Sequence, residues 1–352
     1  MKPANRINLN YRTEAAEFRA VPGGIIDIHS HIQGAQASRI YAQAAEHYGV
    51  ALTYSMTPLA EIDTVKSILG DRVRFIAIPD FNYNDLESAF GIDFIRALPA
   101  FRLHGATIAK FWNAPRIYQA SSEPFARNRF RLNSPLRLDA MKAAADQGMI
   151  FMAHVADPDT WFATKYRDSK LYGTKKQQYE MFEDVLDRFN LPWIAAHLGG
   201  YPEDLNFLSG LLSRHSNLYL DCSATKWIVR ELSKHHPNDV RSFFQRWSGR
   251  LLFGSDIVTR DSHLSPAHNS TEMDAKASDE SEAFDLYASR YWALRTLLES
   301  SYHGDSPIAD ADLHLINPEQ FTALDAPTLR GCALDHDTLI SLYRTAAVKL
   351  IA

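Results

Sequence analysis

Eight short apolar runs recur along the 352 residues, separated by longer segments of helical spacing. The runs are "IIDIH" (25–29), "ALTYSM" (51–56), "RFIAIP" (74–79), "GATIAKF" (105–111), "MIFMAHV" (149–155), "PWIAAHL" (192–198), "LYLDCS" (218–223) and "LLFGSD" (251–256). Between them lie "PLAEIDTVKSIL", "PLRLDAMKAAADQ" and "KKQQYEMFEDVLDRF". In the last of these, Tyr179, Phe182, Leu186 and Phe189 recur on one helical face. Pro58, Pro135 and Pro202 stand where first-turn prolines would. Alternation of strand and helix implies parallel strands buried by helices. Eight such units predict an α/β chain folded as a single (β/α)8 TIM barrel. A doubly wound open sheet satisfies the same alternation and stays open at this point.

Three connections are long, at roughly 111–134, 155–175 and 257–281, and each runs from a strand to a helix. In a barrel, such loops rise from the C-terminal face, where active sites form. They carry Trp112, Arg116, Tyr118, Trp161, Tyr166, Arg260 and His263. The third contains the polar stretch "HLSPAHNSTEMDAKASDESE", read as a mobile lid. Beyond about residue 300 the sequence is irregular until a last helix, "DTLISLYRTAAVKLIA". That helix lines up Leu339, Leu342, Tyr343, Ala346 and Leu350 and is expected as a closing element. There are no internal repeats. The expected division is an N-terminal extension, 1–22, and one barrel domain, 23–352.

Buried parallel strands should be apolar throughout. Several of these break the rule at their C-terminal ends. Strand one ends in His29 with His31 just beyond, strand four near Lys110, strand five at His154, strand six at His197 and strand eight at Asp256. A buried polar group costs several kcal/mol, about 2–7, unless it is paired or bound. Residues two apart on a strand face the same way, so His29 and His31 present both imidazoles to one side. With His154 and Asp256 they would make a nitrogen-rich site with one carboxylate, the composition of a catalytic zinc centre. Each residue also has a structural alternative: a chance pair, a satisfied core histidine, a carbonyl-bonded His197, or Asp256 as a cap. Asp27 shares the face of His29 and is either a partner orienting an imidazole or a satisfied buried carboxylate.

Composition removes several other classes. With 46% hydrophobic and 22% charged residues, the chain has an ordinary globular core to build. The net charge of -5 offers no nucleic-acid footprint. No apolar run approaches the roughly 20 residues of a membrane span. Two cysteines, Cys222 and Cys332, make no disulfide framework and fit a reducing compartment. The N-terminal stretch lacks the apolar core of a signal peptide, so a cytoplasmic location is expected.

At these residues the sequence resembles the amidohydrolase superfamily, and within it the amidohydrolase-related (amidohydrolase 2) family. The resemblance covers roughly residues 23–352. It rests on "DIHSH", "FMAHV", "AAHLGGYP", "LYLDCSA", "LLFGSD" and the ending "LRGCALDHDTLISLYRTAAVKL". The family's closing helix usually carries Asn-Ala where this chain has Ala346-Ala347. The resemblance implies a (β/α)8 barrel with one divalent metal per chain, commonly zinc. The implied ligands are His29, His31, His154 and Asp256, with His197 beside them as a catalytic residue. Lys110 stands about where a carbamylated lysine bridges two metals in the binuclear branch. Its alternative is to pair with Asp256 or with a substrate carboxylate.

Two reactions follow from that resemblance. In a hydrolase of small, anionic esters, lactones or amides, metal-activated water attacks, Asp256 carries the proton and His197 polarises the carbonyl. In a non-oxidative decarboxylase similar to aminocarboxymuconate-semialdehyde decarboxylase, the same site releases carbon dioxide. Lys110, Trp112, Arg116, Trp161 and Lys226 are the expected substrate contacts. The partner is a small molecule, with neither nucleic acid nor membrane, and the resemblance implies a homo-oligomer.

Overall fold

Aliphatic runs buried on both faces give strands whose neighbours run parallel. The computed structural model of the chain describes residues 2–81, 85–120, 128–266 and 271–351. Its strands, in chain order, are β1 (Ile25–His31), β2 (Val50–Ser55), β3 (Val73–Ala77), β4 (Ile108–Trp112) and β5 (Ile150–His154). They continue with β6 (Trp193–Ala195), β7 (Leu218–Asp221), β8 (Leu251–Leu252), β9 (Ile257–Val258), β10 (His303–Asp305) and β11 (Thr328–Arg330). Each of the eight apolar runs overlaps a strand, and the fold is α/β. The chain divides into two units. One comprises Met1–Ser55, Glu61–Arg74 and Cys222–Ala352; the other comprises Met56–Ala60 and Phe75–Asp221.

In the first unit β1 is flanked in parallel by β2 and by β9, with His31 opposite Val258. β9 is only two residues long, too short to show a period in the sequence. A 20-residue helix, Glu280–Glu299, starts at Asp279, whose side chain accepts from the Glu282 N–H. Apolar residues cover this helix on nearly every side, and it packs against the helix Ala35–His47. Tyr291 stacks on Tyr48 and shares a hydroxyl hydrogen bond with Tyr41 at 2.8 Å. The region beyond residue 300 is not wholly irregular, because β10 and β11 form an antiparallel hairpin. The Arg330 guanidinium holds it by donating to the carbonyls of Ser233 and His235.

The C-terminal segment is helical over His336–Ile340, π-helical over Ser341–Thr345 and helical again over Ala346–Ile351. Leu339, Leu342, Tyr343, Ala346 and Leu350 are all buried. A π turn leaves carbonyls without their usual helical partner. The Leu342 carbonyl accepts instead from the Phe253 N–H at 3.0 Å, just beyond β8. The extension 1–22 is tied down as well. Tyr11 is buried, donates to the Ala4 carbonyl at 2.6 Å and accepts at its own carbonyl from Tyr48.

In the second unit β3, β4, β5, β6 and β7 pair in parallel and in sequence order. Helix starts follow capping chemistry. Ser134 caps Pro135–Asp146 with Pro135 in the first turn, and Thr174 with Gln177 makes a capping box for Lys175–Arg188. Two proline expectations fail. The helix after Pro202 begins at Leu205 under an Asp204 cap, three residues later than a first-turn proline requires. Pro58 precedes a 3-10 turn, Leu59–Glu61, and the α-helix starts only at Ile62. Among the described residues, no helix is long and apolar enough to cross a membrane.

Candidate metal centre

β1 alternates, so Asp27, His29 and His31 share one face while Ile26 and Ile28 fill the other. Immediately after β8 the chain turns at Gly254-Ser255 and places Asp256 in the left-handed region, φ 57°. A non-glycine residue is held there only when its surroundings fix it. Here the fixing bonds come from β1: the His29 carbonyl accepts from the Asp256 N–H at 2.8 Å and the His31 carbonyl from the Thr259 N–H at 3.0 Å. The result is a triangle of donor atoms. Asp256 Oδ1 lies 3.4 Å from His29 Nε2 and 3.2 Å from His31 Nε2. A divalent cation bound tetrahedrally at about 2.0–2.1 Å separates its ligand atoms by roughly 3.3–3.4 Å, so the donor set fits such an ion.

Asp27 is fully buried and accepts four hydrogen bonds. They come from the His29 N–H at 3.1 Å, the Ser255 N–H at 3.0 Å, the Ser255 hydroxyl at 2.6 Å and the Tyr291 hydroxyl at 2.8 Å. It therefore braces β1 to the turn that carries Asp256, through backbone and hydroxyl donors. Burial pushes its pKa up to about 6, against the opposing pull of those donors. Burial also raises the hydroxyl pKa of Tyr291 and Tyr41, and the nearby Asp27 charge adds to it, so both stay neutral donors. Ser223 lies 3.1 Å from His29 Nδ1 and orients the ring so that Nε2 faces Asp256. His29 is 1% exposed, whereas the side chains of His31 and Asp256 are 28% and 29% exposed, which leaves the triangle open on one side.

Lys226 belongs to the same unit, on the helix Thr225–Leu232, and its Nζ lies 3.6 Å from Asp310 Oδ1. The described part of the polar stretch 263–282 is anchored. His263 is buried between the Tyr287 hydroxyl and the Met273 carbonyl, each at 3.0 Å. Asp274 accepts from Thr271 and Ser262. Residues 267–270 of the expected lid, and 121–127 of the first long loop, lie outside the described residues.

The second unit holds the other expected histidines. His154 ends β5 with Nε2 2.8 Å from Asp157 Oδ1, and its ring meets that of His197 edge-on at 4.9 Å. His197 lies two residues past β6, with φ 60°, and its N–H donates to Asp221 Oδ1 at 2.9 Å. Trp112, at the end of β4, packs edge-on against His154 and lies 5.2 Å below the exposed Arg116 guanidinium. Lys110 is buried on β4. Trp161 sits on a short helix, Asp159–Ala163, with Lys165 Nζ 3.5 Å above its ring.

The structure thus groups His29, His31 and Asp256 in one unit, and His154, His197 and Trp112 in the other. Sequence reasoning missed Ser255, Ser223 and Tyr291, whose roles depend on contacts far along the chain. It also missed Asp157, for which "HVADPD" offered a signal: a carboxylate three residues after a histidine.

No curated protein matches the chain. Among solved structures it is similar to a dihydroorotase from Saccharomyces cerevisiae, at 14% identity over 94% of this chain and 87% of that one, with a TM-score of 0.47. It is similar to a 2,6-dihydroxybenzoate decarboxylase complexed with 2,6-dihydroxybenzoate, at 10% identity over 77% and 99%, TM-score 0.41. A 2,6-dihydroxybenzoate decarboxylase from Rhizobium gives the same identity and coverage with a TM-score of 0.39. The profile of the family described as Amidohydrolase matches residues 99–286, more than half of the chain. The chain belongs to the amidohydrolase family.

Proposed function

We propose that the chain is a metal-dependent hydrolase of small anionic esters, lactones or amides, holding one divalent cation, zinc by preference, on His29, His31 and Asp256. The observation that carries this is the donor triangle, with edges of 3.4 and 3.2 Å from two imidazoles to one carboxylate oxygen. Bound there, such a cation lowers the pKa of water and polarises a carbonyl oxygen. The chain's own groups do the rest. Asp256, partly exposed, accepts the proton of the attacking water and returns it to the leaving group. Asp27 and Ser223 hold the ligands in place while it does so. The family resemblance assigns His154 to metal ligation and His197 to stabilising the carbonyl oxygen. It assigns Lys110, Trp112, Arg116, Trp161 and Lys226 to the substrate. The (β/α)8 barrel with its closing helix, a cytoplasmic location and homo-oligomer formation belong to the same proposal.

The test is a panel of esters, lactones and amides assayed with chelated and zinc-reconstituted protein. Hydrolysis should vanish on chelation and return with zinc; equal rates in both forms would remove the reading. His197→Ala should keep its metal and lose about a hundredfold or more in turnover. A variant with full turnover refutes that role. The second reading is a non-oxidative decarboxylase, favoured by the Arg116 guanidinium over the Trp112 ring, a pair suited to an aromatic acid. Carbon dioxide release from aromatic acids, without hydrolysis across the panel, selects it.

A further inference from the structure

In the second unit, Asp157 follows His154 by three residues and is fully buried. Its Oδ1 lies 2.8 Å from His154 Nε2, and its Oδ2 has no hydrogen-bond partner among the described residues. By contrast, four donors reach the equally buried Asp27. A carboxylate buried with one oxygen unused costs stability, so its place needs another reason. The loop that carries Asp157 is pressed against the turn after β6. His197, Leu198, Gly199 and Gly200 have φ of 60°, 49°, 69° and 74°, all in the left-handed region. His197 and Leu198 stay there only because their surroundings impose it. A Cβ on Gly200 would lie 1.8 Å from the Ala156 carbonyl oxygen and 3.0 Å from the Asp157 nitrogen. Only glycine lets this turn close on the Ala156–Asp157 peptide. The buried Lys175 ammonium ties turn and loop together, donating to the Gly200 carbonyl at 3.2 Å and pairing with Asp159 Oδ1 at 2.7 Å. Between them the rings of His154 and His197 meet edge-on at 4.9 Å.

We propose that Asp157 is a positioning residue for His154, fixing both the orientation of the ring and its tautomer. A carboxylate only accepts, so Nε2 carries the proton and the lone pair lies on Nδ1. Whatever His154 does with a lone pair it does through Nδ1, and the carboxylate behind the ring makes that nitrogen a better donor. An imidazole without such a partner offers either nitrogen, and the wrong tautomer is inactive. Strain and an incompletely bonded carboxylate, both costly, are thus concentrated around two histidine rings. Asp157 acts through His154 and does not itself meet the substrate. The effect on turnover rests on the proposed hydrolase reading, in which the family resemblance gives His154 a lone-pair role. The tautomer rests on the 2.8 Å contact.

The experiment uses the full chain, chelated for spectroscopy and zinc-reconstituted for kinetics. Imidazole nitrogen shifts are measured by NMR on histidine-labelled protein at about pH 8.5, above the ordinary imidazole pKa of about 6.5. His154→Gln assigns the signals. The unmutated chain should show His154 protonated on Nε2 alone. Asp157→Asn offers both a donor and an acceptor, so both tautomers should appear. Asp157→Ala, checked by thermal melting, serves if the Asn variant does not fold. In the reconstituted enzyme Asp157→Asn should lower kcat about tenfold to a hundredfold with KM unchanged. A proton on Nδ1 in the unmutated chain overturns the inference whatever the variants do. So does a folded Asp157 variant that keeps the single Nε2–H tautomer, or one with full kcat where His154→Gln has lost it. Full turnover in His154→Gln would instead remove the lone-pair role taken from the family, while the spectra still judge Asp157.

Discussion

A methyl group at position 254 would sit 2.9 Å from the Cβ of His29 and 3.1 Å from that of Ser223. Gly254 is therefore part of the metal reading, although it donates nothing. Gly254→Ala should destabilise by about 1–3 kcal/mol through overpacking and lower metal affinity by pushing His29 off its position. Thermal melts with metal analysis check both; a variant with normal stability and metal content contradicts it. Asp27→Ala strands four donors in a dry environment and should destabilise by more than about 3 kcal/mol. Chemical denaturation measures it, and a loss under about 1 kcal/mol would show that Asp27 is not the brace. The proposed ligands were legible in the sequence because the strand period of two puts His29 and His31 on one face and Asp256 ends an apolar run, although β8 itself stops at Leu252. Their braces were not. Ser255, Ser223 and Tyr291 reach β1 from about 190 to 260 residues further along the chain, and no local pattern marks a serine or tyrosine for that task.

At the scale of elements, the strands declared themselves through burial on both faces, and Pro135 marked a helix start. Pro202 misled because proline is equally at home in the turn ahead of a capped helix. The stretch 263–282 reads as a solvated lid by composition, yet His263 pins its start. The Met273 carbonyl can only accept, so Nε2 carries the proton and Nδ1 accepts from the Tyr287 hydroxyl. Burial lowers the pKa of this imidazole below that of the unfolded chain. Above the unfolded value, about 6.5, both states are neutral and the anchor is intact. Below it the unfolded chain takes up a proton that the folded one resists, so stability falls with pH through the folded value. Hydrogen exchange over residues 260–266 and 271–276 should show faster opening at pH 5.5 than at pH 7.5, about one pH unit to either side of the unfolded value, after correction for intrinsic rates. Equal protection at both would show that His263 is no anchor.

At the scale of the molecule, the first unit is assembled from three separated stretches of chain, and the N-terminal 22 residues are part of it. Tyr11 is buried and bonded to both Ala4 and Tyr48, so Tyr11→Ala should cost about 3–5 kcal/mol, as for a large core side chain. Denaturant melts check this, and an unchanged midpoint would make the extension dispensable. Composition gave no hint of it, since the segment is polar apart from a few residues and their burial depends on partners far along the chain. Whether His29, His31 and Asp256 hold a cation is decided by elemental analysis of purified, zinc-reconstituted protein. About one metal per chain is expected, lost in His29→Ala and in Asp256→Ala variants that remain folded. Metal absent from the unmutated chain, or retained at full stoichiometry in both variants, would contradict it.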